Sequence, residues 1–184
     1  QVLDQLVASG LVVTEGNGRS SLNGMLADLL EFLDDTIVSR VAFPLGCRRA
    51  VYPATIACKD LLSAGLFDAF PQHVQFVFHL RHDMQAIDGL ARHMRGKHSW
   101  STDDAAKAAG FAAPTEVMLN PAVCYHAYVA LQQGSVPPEG VSITARSRCH
   151  RFEGGNLHGL ERLADFDMRE VIFVGSPVFV KAQR

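Results

Sequence analysis

The sequence predicts one α+β domain with a mostly antiparallel sheet flanked by helices, and three observations carry that prediction. Two long β-like runs near the C-terminus, 141–153 and 164–175, are joined by a glycine-bearing loop and read as an antiparallel hairpin. A long run from Asn23 to about Val41 repeats its apolar residues at helical spacing, whereas Val74, Phe76 and Phe78 alternate with polar neighbours as a half-buried strand does. The 184 residues suffice for one sizeable core, and no repeat or low-complexity tract divides them, so 1–184 reads as a single, partial domain.

The elements follow in order. Val2, Leu3, Leu6 and Val7 form one helical face that stops at Gly10, and "EGNGRSSLNG" reads as a turn-rich break. In the helix from Asn23, the residues Leu26, Leu29, Leu30, Leu33, Ile37 and Val41 share an apolar stripe, with "EFLDD" on the wet side. "RRAVYPATI" reads as a short strand closed by Pro53, which has no N–H to donate. "CKDLLSAGLFDAF" is a short helix broken at Gly65, "QHVQFVFHLR" a strand, and "DMQAIDGLARHMRG" a helix. Ser101 and Asp104 form a capping box for the helix that follows them. "TEVML" is a strand, and Asn120-Pro121 opens the helix "AVCYHAYVALQQG", since proline is tolerated in a first turn.

An apolar fraction of 48% with 20% charged residues describes an ordinary soluble globular protein, and a formal charge of -2 gives no footprint for nucleic acid. The four cysteines, at 47, 58, 124 and 149, contain no CxxC pair and are too few for a disulfide scaffold, so reduced thiols in a cytoplasmic protein are expected. There is no run of 18 apolar residues and no leader-like N-terminus, which points away from a membrane-spanning or secreted chain. Because it begins at Gln1 and ends on "SPVFVKAQR" without a stop signal, the sequence reads as a fragment.

The C-terminal hairpin holds the chemistry. Alternation puts Cys149, Arg151 and Glu153 on one side of the first run, and Phe166, Met168 and Glu170 on one side of the second. A guanidinium fork matches phosphate oxygens, a carboxylate can accept from an exocyclic amine, and a phenyl ring can stack on a purine. The set therefore suits ATP. A cross-strand ion pair on a solvated sheet face fits the same alternation equally well.

"CHRFEGG", followed by "GLERLADFDMRE", resembles motif 2 of the class II aminoacyl-tRNA synthetases. "YPATIACKDLLSAGLFDAFPQ" and "PTEVMLNPAVCYHAY" look like earlier core segments of the seryl-type branch, in the right order. The cysteine of "NPAVCYHAY" and the glutamate of "FDMRE" point further, to the amino acid:[carrier protein] ligases, which are similar to synthetase cores without the tRNA-binding arm. The resemblance spans about residues 48–175 and implies a class II synthetase-like catalytic core, incomplete at the C-terminus.

The same resemblance implies roles. Arg151 would be catalytic and hold the α-phosphate, Glu153 would read the adenine amine, Phe166 would stack on adenine, and Arg162 would grip the outer phosphates of ATP, taken with Mg2+ as substrate. Cys124 and Glu170 would be two ligands of a zinc ion (Zn2+). The third ligand and the glycine- and arginine-rich motif 3 would lie beyond Arg184, and Cys149 competes for the third position. Thr115 and Glu116 resemble the loop that meets the substrate amine. His79, His82, His93 and His98 read as a scattered solvated set.

The implied activity is ATP-dependent activation of a small amino acid, glycine or alanine, to an aminoacyl-adenylate, with transfer to the phosphopantetheine thiol of a carrier protein. No tRNA partner is expected, and the 23–41 helix could serve a homodimer. Two alternatives stay open: a non-catalytic synthetase-like module, and a seryl-type aminoacyl-tRNA synthetase.

Overall fold

The structure, a computed structural model, describes residues 2–132 and 134–183. Helix α1 (Val2–Ala8) leads into a hairpin of β1 (Val12–Gly16) and β2 (Arg19–Leu22). Helix α2 (Met25–Ile37) follows and runs on into a π-turn, Val38–Ala42. Strands β3 (Arg48–Val51) and β4 (Thr55–Ala57), helices α3 (Cys58–Ser63) and α4 (Leu66–Ala69), and a 3-10 turn at Pro71–His73 precede β5 (Phe76–Leu80). Then come α5 (Met84–Met94), α6 (Thr102–Ala109), β6 (Ala112–Leu119), α7 (Cys124–Gln132), β7 (Val141–His150), β8 (Asp165–Val174) and α8 (Pro177–Ala182).

Two three-stranded sheets organise the chain, in the orders β3-β7-β8 and β4-β6-β5. Every pairing is antiparallel except β3 with β7, so the expected α+β architecture with a mostly antiparallel sheet is what forms. Buried Asn120 joins the two sheets: its amide donates to the Ala54 carbonyl and its own carbonyl accepts from His150, both at 2.9 Å.

The ten-residue ladder of β7 and β8 sorts side chains by parity. Val141, Ile143, Ala145 and Cys149 face inward with Ile172, against Val123 and Ala127 of the α7 segment. Arg146, Arg148, Asp167 and Arg169 face outward, toward α2 and the β1–β2 hairpin. A second core, made of Ile56, Leu61, Leu66 and Met118, lies under the other sheet.

Four expectations are corrected. The "EGNGRSSLNG" break is a hairpin, because Asn17 and Gly18 both take positive φ (51° and 71°), the turn whose twist matches that of antiparallel strands. "RRAVYPATI" is two strands in two different sheets, separated at Tyr52-Pro53-Ala54. Phe76 and Phe78 are exposed (62% and 59%): β5 is an edge strand, and among the described residues nothing covers that face. His93 is no free surface histidine, since its Nε2 lies 2.8 Å from Asp104 Oδ1.

The capping box is as expected. Ser101 and Asp104 cap each other, and Asp104, buried in spite of its charge, also takes Lys97. Helix α2 shows its apolar surface only half covered, with Leu26 and Leu30 half-buried and Met25, Leu29, Phe32, Leu33, Ile37 and Val41 exposed. Its π-turn buries Val38 and Ala42.

Candidate functional site

The ladder register builds the site. It sets Cys149 opposite Phe166, Ser147 opposite Met168 and Ala145 opposite Glu170, so these six share the inward face, under α7. Where β7 ends, Arg151 stays on that face: its backbone N–H donates to Ala164 at 2.9 Å, and its Nε donates to the Pro121 carbonyl just before α7, also at 2.9 Å. The guanidinium carbon sits 5.4 Å from the Phe166 ring centre, a cation–π contact. Glu153, 11% exposed, pairs with Arg162 through Oε2 and Nε at 3.1 Å. These four side chains, with Leu160, Glu161 and Leu163, line a cleft of about 300 Å3. A phenyl ring, two guanidinium groups and two carboxylates, of which Glu161 is exposed, surround one cleft and can hold an aromatic ligand with anionic groups.

Farther along the same face, the Cys124 thiol of α7 meets Glu170 of β8. Burial, then the Glu170 charge and hydrogen bonding, push the thiol up to about 11. The Glu170 Oε2 is buried and has no hydrogen-bond partner. A thiol held protonated beside an orphaned carboxylate oxygen is what a cation would relieve, and sulfur plus oxygen is a donor set that zinc accepts. Among the described residues no group of three potential ligands converges, so the pair supplies two donors. Cys149 stays on the core side of Phe166; its thiol donates to the Ser147 carbonyl at 3.7 Å, and burial first pushes it up to about 12.

Three contacts outside the cleft hold the hairpin in place. On the outward face, Arg169 binds Asp34 of α2 through both arms (2.7 and 2.6 Å), and Arg146 binds Glu31 through both arms (2.8 Å each). The Arg169 guanidinium holds the Asp34 carboxyl below its ordinary value. At the loop, the Gly18 carbonyl accepts the Ala164 amide at 2.8 Å, tying the β1–β2 turn to the residue that binds the Arg151 backbone.

Known proteins share this architecture. The M. kandleri SerRS, solved with A. aeolicus tRNASec, superposes with a TM-score of 0.87 over 100% of this chain and 36% of its own, at 23% identity. The RNA binding domain of a threonyl-tRNA synthetase from Cryptosporidium parvum Iowa II superposes at 0.68 over 98% of this chain, with 14% identity. The chain has the class II aminoacyl-tRNA synthetase-like fold. In sequence, it is similar to amino acid--[acyl-carrier-protein] ligases 1 and 2 of Bradyrhizobium diazoefficiens, 26% identical over 152 residues and 27% over 159. It is also 25% identical over 174 residues to a type-2 serine--tRNA ligase of Methanopyrus kandleri. These alignments cover 79%, 83% and 88% of the chain but only 44%, 45% and 31% of the relatives, so the chain spans less than half the length of the curated relatives it matches. No protein-family model matches the chain.

Within this synthetase-like fold, Arg151, Glu153, Arg162 and Phe166 come together around one cleft, and Cys124 and Glu170 come together beside it. Thr115 and Glu116 lie not in a loop but inside β6, where the Thr115 hydroxyl donates to Val77 at 2.9 Å and Glu116 is exposed. Two residues escaped the sequence reading: Tyr125 and Tyr128 of α7. Burial raises both phenols, and the charges of Cys124 and Glu170 raise them further. Only Tyr128, four residues after Cys124 on a helix, had a signal in the spacing; Tyr125 packs against the core of Ile56, Leu61, Leu66 and Met118.

Proposed function

We propose that this chain carries the ATP site of an AMP-forming amino acid:[carrier protein] ligase. The observation behind the proposal is the β7–β8 hairpin, which brings Arg151, Glu153 and Phe166 together at one end of a sheet face, with the Cys124–Glu170 pair farther along it. The names of the Bradyrhizobium relatives supply the carrier protein.

In this reading the carboxylate of glycine or alanine attacks the α-phosphorus of ATP, held with Mg2+, and the bond to pyrophosphate breaks. The phosphopantetheine thiol then attacks the aminoacyl carbonyl and AMP leaves. Arg151, fixed by its Nε at Pro121, opposes the negative charge that builds on the α-phosphate without having to reorganise. Phe166 and Glu153 orient the adenine, and Arg162 takes the outer phosphates. Cys124 and Glu170 would hold zinc, whose open position supplies a site for the substrate amine. Tyr128, which interacts with the Cys124 thiol, would border that position.

Pyrophosphate exchange by the full-length protein with glycine, alanine and serine, in the presence of zinc, is the test. Exchange with a small amino acid, followed by acyl transfer to a phosphopantetheinylated carrier protein rather than to bulk tRNA, is the expected result; no exchange with any of the three sinks the reading. We further propose that the exposed stripe of α2 pairs with a second copy of the chain, giving a homodimer.

A further inference from the structure

The groups assigned to ATP already satisfy one another without it. Glu153 is 11% exposed, and a carboxylate so far removed from water requires a partner; Arg162 is that partner, at 3.1 Å. The acceptor expected to read the adenine amine is thus occupied by the cation expected to bind the outer phosphates. We propose that Arg162 is a specificity-determining residue, which closes the adenine-reading carboxylate of Glu153 until a triphosphate draws it away, and so makes the site favour ATP over AMP. The proposal rests on the ATP reading of this cleft.

Three features fit a latch that opens. The Arg162 side chain is 55% exposed, so the cation's half of the pair is already solvated and free to swing to another anion, while Glu153 stays in place. Its backbone is anchored, the N–H donating to the His158 carbonyl at 3.1 Å and the carbonyl accepting from the His158 N–H at 3.2 Å. The switch is therefore a change of side-chain rotamer, with no loop movement required. Finally, Leu160, Leu163 and Arg162 itself hold the cleft to about 300 Å3, at the lower limit for a small-molecule site.

The exchange differs between nucleotides. Either one must take Glu153 from Arg162 to seat its adenine. ATP offers the displaced guanidinium the oxygens of its β- and γ-phosphates, so one charged contact replaces another. AMP has a single phosphate, which Arg151 holds, and leaves Arg162 with nothing in return.

Calorimetric titration of the protein and of Arg162→Ala with ATP and with AMP tests this. Removing the latch is expected to tighten AMP about two- to fivefold and to weaken ATP about tenfold or more. AMP affinity that is unchanged or lower in Arg162→Ala overturns the proposal, since a residue that only touched phosphates would give the first result and a structural one the second. Failure of the unmodified protein to bind either nucleotide overturns the ATP reading itself, and the latch with it. Arg162→Gln, which keeps a polar side chain but neither the charge nor the full reach, is expected to behave as Arg162→Ala.

Discussion

The carbonyl of Gly18 accepts the amide of Ala164 at 2.8 Å, and the carbonyl of Ala164 accepts the amide of Arg151 at 2.9 Å. A turn 133 positions before Arg151 thereby fixes the far end of the loop that begins at it. A Cβ at residue 18 would stand 2.5 Å from Leu157 Cδ2 and 2.7 Å from the Ala164 nitrogen, with φ at +71°. Gly18→Ala is expected to cost about 1–3 kcal/mol in a chemical melt and to lower pyrophosphate exchange at limiting ATP more than at saturating ATP. An exchange rate reduced equally at both would detach the turn from nucleotide binding.

Asp34 and Arg169 are both largely buried, at 12% and 15% exposure. Asp34→Ala strands the guanidinium and is expected to cost about 2–3 kcal/mol in urea denaturation. Arg169→Met in the same background should restore part of that loss, because the unpaired charge is what costs.

The homodimer reading is tested on α2. Phe32, outside the stripe defined by Leu26, Leu29 and Leu33 but next to its edge, is 65% exposed and extends the uncovered apolar surface of Leu29 and Leu33. Phe32→Glu is expected to give a monomer in light scattering where the unmodified protein gives a dimer, with circular dichroism unchanged.

Asp104 gives the pH prediction. Its carboxyl is held well below the ordinary value of 3.8, first by the Lys97 ammonium, then by Ser101. A depressed folded value means that the stabilisation is fully present above the unfolded value, near pH 4, and is lost as pH falls through the lower folded value. The stability gap between the protein and Asp104→Asn should therefore be present at about pH 5 and shrink below about pH 4.

For the metal, Cys124→Ala and Glu170→Gln are each expected to lower zinc content, measured by mass spectrometry on protein purified without chelator. Unchanged zinc in Cys124→Ala would remove that residue from the proposed set. Loss of the metal should also leave the thermal midpoint lower, as bound zinc stabilises only the folded chain.

The sequence made the sheet face readable because parity alone places Cys149, Phe166, Met168 and Glu170, and the ladder keeps that parity without a bulge over ten residue pairs. The loop was readable only as a loop, since the pairing of Glu153 with Arg162 depends on where a turn at His158 delivers the guanidinium. Asn17-Gly18 was legible in principle, as the strongest short hairpin signal, but the flanking run "TEGNGRSS" is too polar for alternation to announce strands. The exposure of Phe76 and Phe78 had no local signal at all, because an apolar strand reads the same whether or not something lies over it. Asp34 with Arg169 was likewise invisible, being a contact across 135 positions.

Neighbouring Arg169 and Glu170 answer to different parts of the chain, one to α2 and the other to α7. An insertion or deletion of one residue within β8 would exchange them, setting a guanidinium beside the Cys124 thiol and a carboxylate against Asp34. The strand can absorb many single replacements, provided each suits its own side, but its length is not free to vary. Among homologues, gaps should accordingly fall in the 151–164 loop and stay out of 165–174, while changes at 34 and 169 travel together, independently of changes at 124 and 170.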